Sequence, residues 1–117
     1  MIDPVELYAD DPTSCPVAAA VGAFSGKWKP IILHLLAQDE LHFANICRAL
    51  PKASKKVLTE QLRELENDGI VVRRPTNENR PRVFYSLSRT GKELAPIMLS
   101  LYKWQKDRSQ KEMSDAA

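Results

Sequence analysis

The stretch "SKKVLTEQLRELE", residues 54–66 of 117, holds the side chains best suited to chemistry in this chain. Ser54 is a good helix N-cap, and Lys55, Lys56, Thr59 and Arg63 follow at spacings that string them along one helical side. Leu58, Leu62 and Leu65 form the apolar stripe behind them. Cationic and polar side chains at the start of a leucine-backed helix can reach phosphates and guanine edges, which is the chemistry of a helix entering the DNA major groove. Ser54 can add a phosphate contact to its capping role. Downstream, "TNENRP" separates two β-rich runs and presents Asn77, Asn79 and Arg80, with Arg82 just beyond. Arg80 or Arg82 suits a minor groove or its flanking phosphates. Glu60, Glu64 and Glu66 temper the positive charge, and Glu64 and Glu66 are expected to face solvent or pair with neighbours.

Other reactive side chains are sparse. The two cysteines, Cys15 and Cys47, fit neither zinc-ligand spacing nor a CxxC motif. Cys47 falls on the apolar stripe of its own helix and reads as a buried cysteine. Cys15 directly precedes Pro16 at a helix start, where peptide N–H groups stabilise negative charge, although Asp10 and Asp11 would oppose that if close. His34 and His42 have no Asp or Cys at catalytic or metal spacing, and no Gly-rich phosphate loop occurs. Neither an enzyme nor a cofactor nor a metal site is expected.

These side chains need a scaffold, and local signals lay one out. Residues 1–14 read as a flexible arm. Val17, Ala20, Val21 and Phe24 then mark a short amphipathic helix begun by Pro16 and stopped by Gly26. "KWKPIILHLLAQ" gives a second helix with Ile31, Ile32, Leu35 and Leu36 on one face. "HFANICRAL" gives a third, burying Phe43, Ile46, Cys47 and Leu50, and Gly69 stands where the fourth should end. "IVVRRP" and "RVFYSL" alternate as a hairpin, and a short strand near Glu40–His42 can join it. Thr90 and Glu93 suggest a capping box opening a last helix with Leu94, Ile97, Met98, Leu101 and Tyr102 on its apolar face. From about Lys106 the chain is polar and expected to fray. Trp28 and Phe24 read as core.

The expected fold is mainly α with a small β-hairpin wing: a winged helix-turn-helix over residues 15–105, an arm at 1–14 and a polar tail at 106–117. Net charge is only +2, yet Lys and Arg outnumber acids between residues 52 and 82, a footprint compatible with double-stranded DNA. The acidic start lacks the charge pattern of a signal peptide, and no apolar run approaches the roughly 20 residues of a membrane span. A cytoplasmic protein with no membrane partner is expected, in a compartment that disfavours structural disulfides. A single winged helix makes few base contacts, so a homodimer on a pseudo-palindrome is the natural solution. Its candidate seam residues are Val17, Val21, Leu101, Tyr102 and Trp104. Winged helices also serve as protein-docking modules, which is the competing class.

Several segments carry a family resemblance: "CPV" before the first helix, "GKW" at the second, "ALPKASKKVLTEQLRELENDGIV", and "PRVFYSLSRTGKEL". In order and spacing the chain from Cys15 to Trp104 resembles the HxlR-type winged-helix transcription regulators, relatives of the MarR group. The resemblance implies a DNA-binding homodimer joined by its terminal helices. In such proteins this N-terminal cysteine recurs, and some members use it to sense oxidants or electrophiles. Cys15 is accordingly read either as a thiol switch, pairing with Cys47 of the partner subunit or forming another adduct, or as a cysteine kept for capping and for packing against the dimer. A small-molecule effector bound between dimer seam and helix-turn-helix is the alternative signal, though no convergent polar group marks such a site. Asp39 and His42 depart from the pattern, where such proteins often carry Gly or Pro and Arg, and imply a weaker phosphate grip before the third helix. Asn45 is left as a modest backbone contact.

Overall fold

Pro16 opens the first helix because its missing N–H falls where no intrahelical acceptor exists. From there the computed structural model, which describes Glu6 and residues 9–116, alternates short helices with a small sheet. After a 3₁₀ turn at Pro12–Ser14 come α1 (Pro16–Phe24), α2 (Lys29–Gln38), β1 (Leu41–His42), α3 (Phe43–Ala49) and α4 (Lys55–Asn67). They are followed by β2 (Val71–Pro75), β3 (Val83–Leu87) and α5 (Arg89–Ala116). The strands pair antiparallel in the order β1-β3-β2, with Val71 opposite Leu87 and Leu41 opposite Tyr85. This is the winged helix-turn-helix expected from the sequence, third strand included.

The buried core is built from α2, α3, α4 and the sheet: Ile32, Leu33 and Leu36 of α2, Ile46 of α3, the three α4 leucines, and Val71, Tyr85 and Leu87 of the strands. Leu58, Leu62 and Leu65 are fully buried, each contributing about 1.5–3 kcal/mol of transfer free energy. The strict alternation of β3 places Val83, Tyr85 and Leu87 on the inner side of the sheet, as the hairpin pattern requires.

Three expectations are corrected. The buried face of α2 is Lys29, Ile32, Leu33 and Leu36, whereas Ile31 is exposed and Leu35 half-buried. The helix is rotated because its stripe begins at a lysine that has an acidic partner on α4. The cap of α5 is Ser88, not Thr90 with Glu93. Ser88 Oγ accepts from the Gly91 N–H at 3.0 Å, and Glu93 lies beside Arg89 instead, at 3.7 Å. Finally, the polar segment from about Lys106, expected to fray, is helical, and α5 runs on to Ala116. Its last turns are rich in Lys, Gln, Arg, Glu and Met, all good helix formers. The expectation of a flexible arm at residues 1–14 lies largely outside the described residues; within them, Pro12–Ser14 is turned.

Ser88 does more than cap. Its N–H donates to the Ile70 carbonyl at 2.9 Å, and its hydroxyl sits 2.6 Å from the Gly69 carbonyl and 3.0 Å from that of Ile70. The end of α4 and the start of α5 are thereby tied together, and α5 approaches so closely that Gly91 has no room for a side chain. A Cβ there would fall well inside van der Waals contact of the Ile70 carbonyl oxygen, with Leu87 Cβ and Cδ2 at 3.2 Å.

Candidate nucleic-acid interface

Both ends of α4 are built by local sequence. Ser54 holds extended backbone and its Oγ accepts from the Val57 N–H at 3.1 Å, satisfying one of the free donors of the first turn. At the other end Gly69 takes φ +75°, while the Ile70 N–H bonds to the Leu65 carbonyl at 3.0 Å and the Gly69 N–H to the Glu66 carbonyl at 2.9 Å. That pair of bonds is a Schellman closure, which needs a residue able to adopt the left-handed conformation. The linker from α3 is equally tight: the Ala53 N–H bonds back to the Leu50 carbonyl at 3.1 Å.

The flank of α4 is fixed by polar contacts that sequence reading missed. The Trp28 N–H donates to Gln61 Oε1 at 3.0 Å, and Lys29 Nζ lies 2.6 Å from Glu64 Oε2. The Lys29 side chain is only 6% exposed, against 60% for Glu64, so the carboxylate reaches from the surface over a buried ammonium. Gly26 makes room for this: a Cβ there would lie 3.1 Å from Lys29 Cδ and 3.3 Å from Gln61 Oε1. Only the GKW motif and the amphipathic pattern around Gln61 hinted at the contact.

Away from the core, Lys55, Lys56, Thr59, Glu60 and Arg63 are exposed. Thr59 Oγ1 donates to the Lys55 carbonyl at 2.7 Å, so its hydrogen is used inside the helix and the hydroxyl faces solvent as an acceptor. At the hairpin, the Thr76 N–H bonds to the Arg82 carbonyl and the Arg82 N–H to Thr76 Oγ1, both at 2.8 Å. This double closure pinches off a tip that presents Asn77, Asn79 and Arg80 to solvent, with the Arg82 side chain at its base. Thr76 is a further residue that the sequence reading passed over.

Arg74 is differently placed. It pairs with Glu40 at 2.8 Å and stacks its guanidinium over Phe84 at 4.8 Å, while His42 meets the other side of that neighbourhood edge-on at 5.6 Å. His42 is therefore an aromatic packing partner on the outer face of the sheet. Asp39 accepts from the Glu40 N–H at 2.8 Å, and Asn45 accepts from Arg48 at 3.2 Å.

Both thiols are free and half-buried. Cys47 packs against the core from α3. Cys15 is the N-cap residue of α1, but only its backbone serves: its carbonyl accepts from the Ala19 N–H at 3.0 Å, and its side chain makes no capping hydrogen bond. α1 buries none of its residues, and Val17, Val21, Leu101, Tyr102 and Trp104 are all exposed. Ile97, on the apolar face of α5, is likewise 56% exposed. Between α2 and α5 lies an apolar cleft of about 660 Å³, lined among others by Phe24, Leu33, His34, Met98 and Tyr102. Among the described residues no helix is long and apolar enough to cross a membrane.

A comparable arrangement occurs in known proteins. An HTH-type transcriptional regulator of Methanothermobacter thermautotrophicus is 41% identical over 97 residues, spanning 83% of this chain and 74% of that protein. Among solved structures, the redox regulator HypR in its reduced form superposes with a TM-score of 0.79 at 35% identity, covering 85% of this chain and 98% of that one. The reduced transcriptional regulator YodB of Bacillus subtilis gives a TM-score of 0.70 at 31% identity, covering 77% and 89%. The HxlR-like helix-turn-helix model matches residues 23–113, from the last turn of α1 through nearly all of α5. With the capped α4, the pinched β2–β3 wing and these relatives in agreement, the chain belongs to the HxlR-like helix-turn-helix family of DNA-binding transcription regulators.

Proposed function

We propose that this protein is a homodimeric repressor that reads a pseudo-palindromic operator with α4 and the β2–β3 wing, and that oxidation at Cys15 controls the complex. The observation that carries the DNA-reading role is the sidedness of α4. Three leucines are fully buried on one side, while Lys56 and Arg63 are exposed on the other and Lys55 is exposed at the helix start; none of the three cations belongs to an ion pair among the described residues. Cations left unneutralised on a preformed helix are what phosphate and guanine recognition require. The exposed apolar side chains of α1 and α5 support association of two copies, which would set half-sites about 10–10.5 bp apart or a multiple of that.

The redox assignment is supported by likeness to HypR, a redox regulator, and by the uncommitted Cys15 side chain. In this reading Cys15 and Cys47 of the partner subunit lose two protons and two electrons to an oxidant and form one S–S bond. The experiment is a gel-shift titration on the DNA upstream of the protein's own gene, with wild type and Cys15→Ser, before and after diamide. Salt-dependent binding by the reduced protein, an altered wild-type complex after diamide and an unresponsive Cys15→Ser variant are expected. A chain that stays monomeric on non-reducing gels after diamide, with operator binding unchanged in Cys15→Ser, would sink the thiol switch. Salt-independent or absent DNA binding would instead return the domain to the protein-docking class.

The α2–α5 cleft favours a second reading, in which a small apolar molecule is the effector and His34, held 3.0 Å from Gln38 Nε2, supplies its polar contact. Release of the operator by such a molecule from Cys15→Ser protein would select it.

A further inference from the structure

Glu60 stands on the outward side of α4, between Lys56 and Arg63. At roughly 100° per residue it lies nearly opposite Leu58 and Leu62, both fully buried, so it projects as directly away from the core as any residue of the helix can. Among the described residues its carboxylate enters none of the ion pairs, although a lysine precedes it by four positions and an arginine follows by three. Of the acids nearby, Glu64 is committed to Lys29 and Glu40 to Arg74, while Glu78 at the hairpin tip, like Glu60, enters none of the ion pairs among the described residues.

An uncompensated carboxylate here works against general affinity for DNA, since it repels phosphates and offsets one of the neighbouring cations. What it gains lies in base edges. A carboxylate has acceptors only, whereas guanine N7 and O6 and thymine O4 are acceptors too, so those bases are rejected. Cytosine presents its N4 amine as a donor. Adenine also presents an amine, but with the N7 acceptor beside it, which a carboxylate opposes. Lys56 and Arg63, flanking Glu60 on the same side, have donors only and match guanine O6 and N7.

We infer that Glu60 is a base-reading, specificity-determining residue that selects cytosine at one position of each operator half-site, next to guanines read by Lys56 and Arg63. The inference rests on the DNA-reading role of α4 proposed above. It makes Glu60 a residue that weakens binding to DNA in general while sharpening the choice among sequences.

The test is in vitro selection from a randomised duplex library with the full chain, wild type against Glu60→Gln, followed by titration of the winning duplexes. Wild type is expected to enrich a half-site with a fixed cytosine. Glutamine, which pairs in bidentate fashion with adenine N6 and N7, is expected to move that position to adenine. The preference for the cytosine duplex should fall about 10-fold, and binding to non-cognate duplex should strengthen. A wild type that enriches a motif which Glu60→Gln leaves unchanged overturns this inference alone. A wild type that enriches nothing overturns the DNA-reading role along with it.

Discussion

Gly91→Ala sets two effects against each other, and the structure decides between them. Gly91 lies in the first turn of α5, where replacing glycine by alanine gains about 1 kcal/mol of helix propensity. The new Cβ, however, would collide with the Ile70 carbonyl oxygen and press on Leu87. Relief requires α5 and the start of β2 to separate by on the order of 1 Å. That carbonyl already accepts from the Ser88 N–H and lies in reach of the Ser88 hydroxyl, so the movement strains the cap of α5 as well. Overpacking costs about 1–3 kcal/mol and each weakened hydrogen bond about 0.5–1.5. Net of the propensity gain, Gly91→Ala should destabilise by about 1–5 kcal/mol, or roughly 10–15 °C in melting temperature at the middle of that range and this chain length. Gly69→Ala is the contrast: a Cβ there meets nothing, and only the φ of +75° opposes it, at about 1 kcal/mol. Thermal melts followed by circular dichroism, at one fixed protein concentration, measure both. Gly91→Ala melting at or above wild type, or no worse than Gly69→Ala, would refute the steric argument.

Arg80→Ala should flatten the plot of log affinity against log salt by about 0.9 for each phosphate that the arginine neutralises, read by fluorescence anisotropy on operator DNA. An unchanged slope removes the wing tip from the phosphate-binding surface. Lys29→Met should be close to neutral in stability, because an apolar side chain of similar length fills the same site. Glu64→Ala strands the buried ammonium and should cost about 1–3 kcal/mol, less than for a fully buried pair because Glu64 is largely exposed. Equal losses from the two variants in urea titrations would contradict this. Ser54→Ala should cost about 1 kcal/mol through loss of the α4 cap, again by urea titration, and a neutral result would show the Val57 N–H equally well served by water.

The parts of the fold that were legible in the sequence are those held by short-range rules. Ser54, the leucines four and three apart, and Gly69 each announce their role through capping, periodicity or backbone freedom, and α4 follows from them alone. The hairpin is legible for the same reason, as alternation across β3. The inner face of α2 was misread because apolar periodicity cannot register Lys29 as its first member; the fact that makes it one, Glu64, lies 35 residues away. Ser88 lost to Thr90 as a cap in the reading because its advantage is tertiary, coming from the Gly69 and Ile70 carbonyls. The continuation of α5 was missed since no apolar stripe runs through its last turns. Of the candidate site, the residue types on α4 and at the wing were readable. Their engagement was not: that Arg74 is held by Glu40 and Phe84, or that Thr59 turns its hydrogen inward, depends on the strand register and the helix itself.

The contacts of Gln61 and Glu64 with the Trp28–Lys29 corner have a consequence for reading accuracy. A helix resting only on leucines can roll about its own axis at small expense, because apolar contact has no direction. Hydrogen bonds and ion pairs do, and these two, one turn apart on the same flank, resist rotation like a keyway on a shaft. Which side chains of α4 face away from the core is thus set from behind the helix by a backbone amide and a buried ammonium. If α4 reads DNA as proposed, substitutions at Gln61 or Lys29 should accordingly blur or shift sequence preference without changing any exposed residue of the helix.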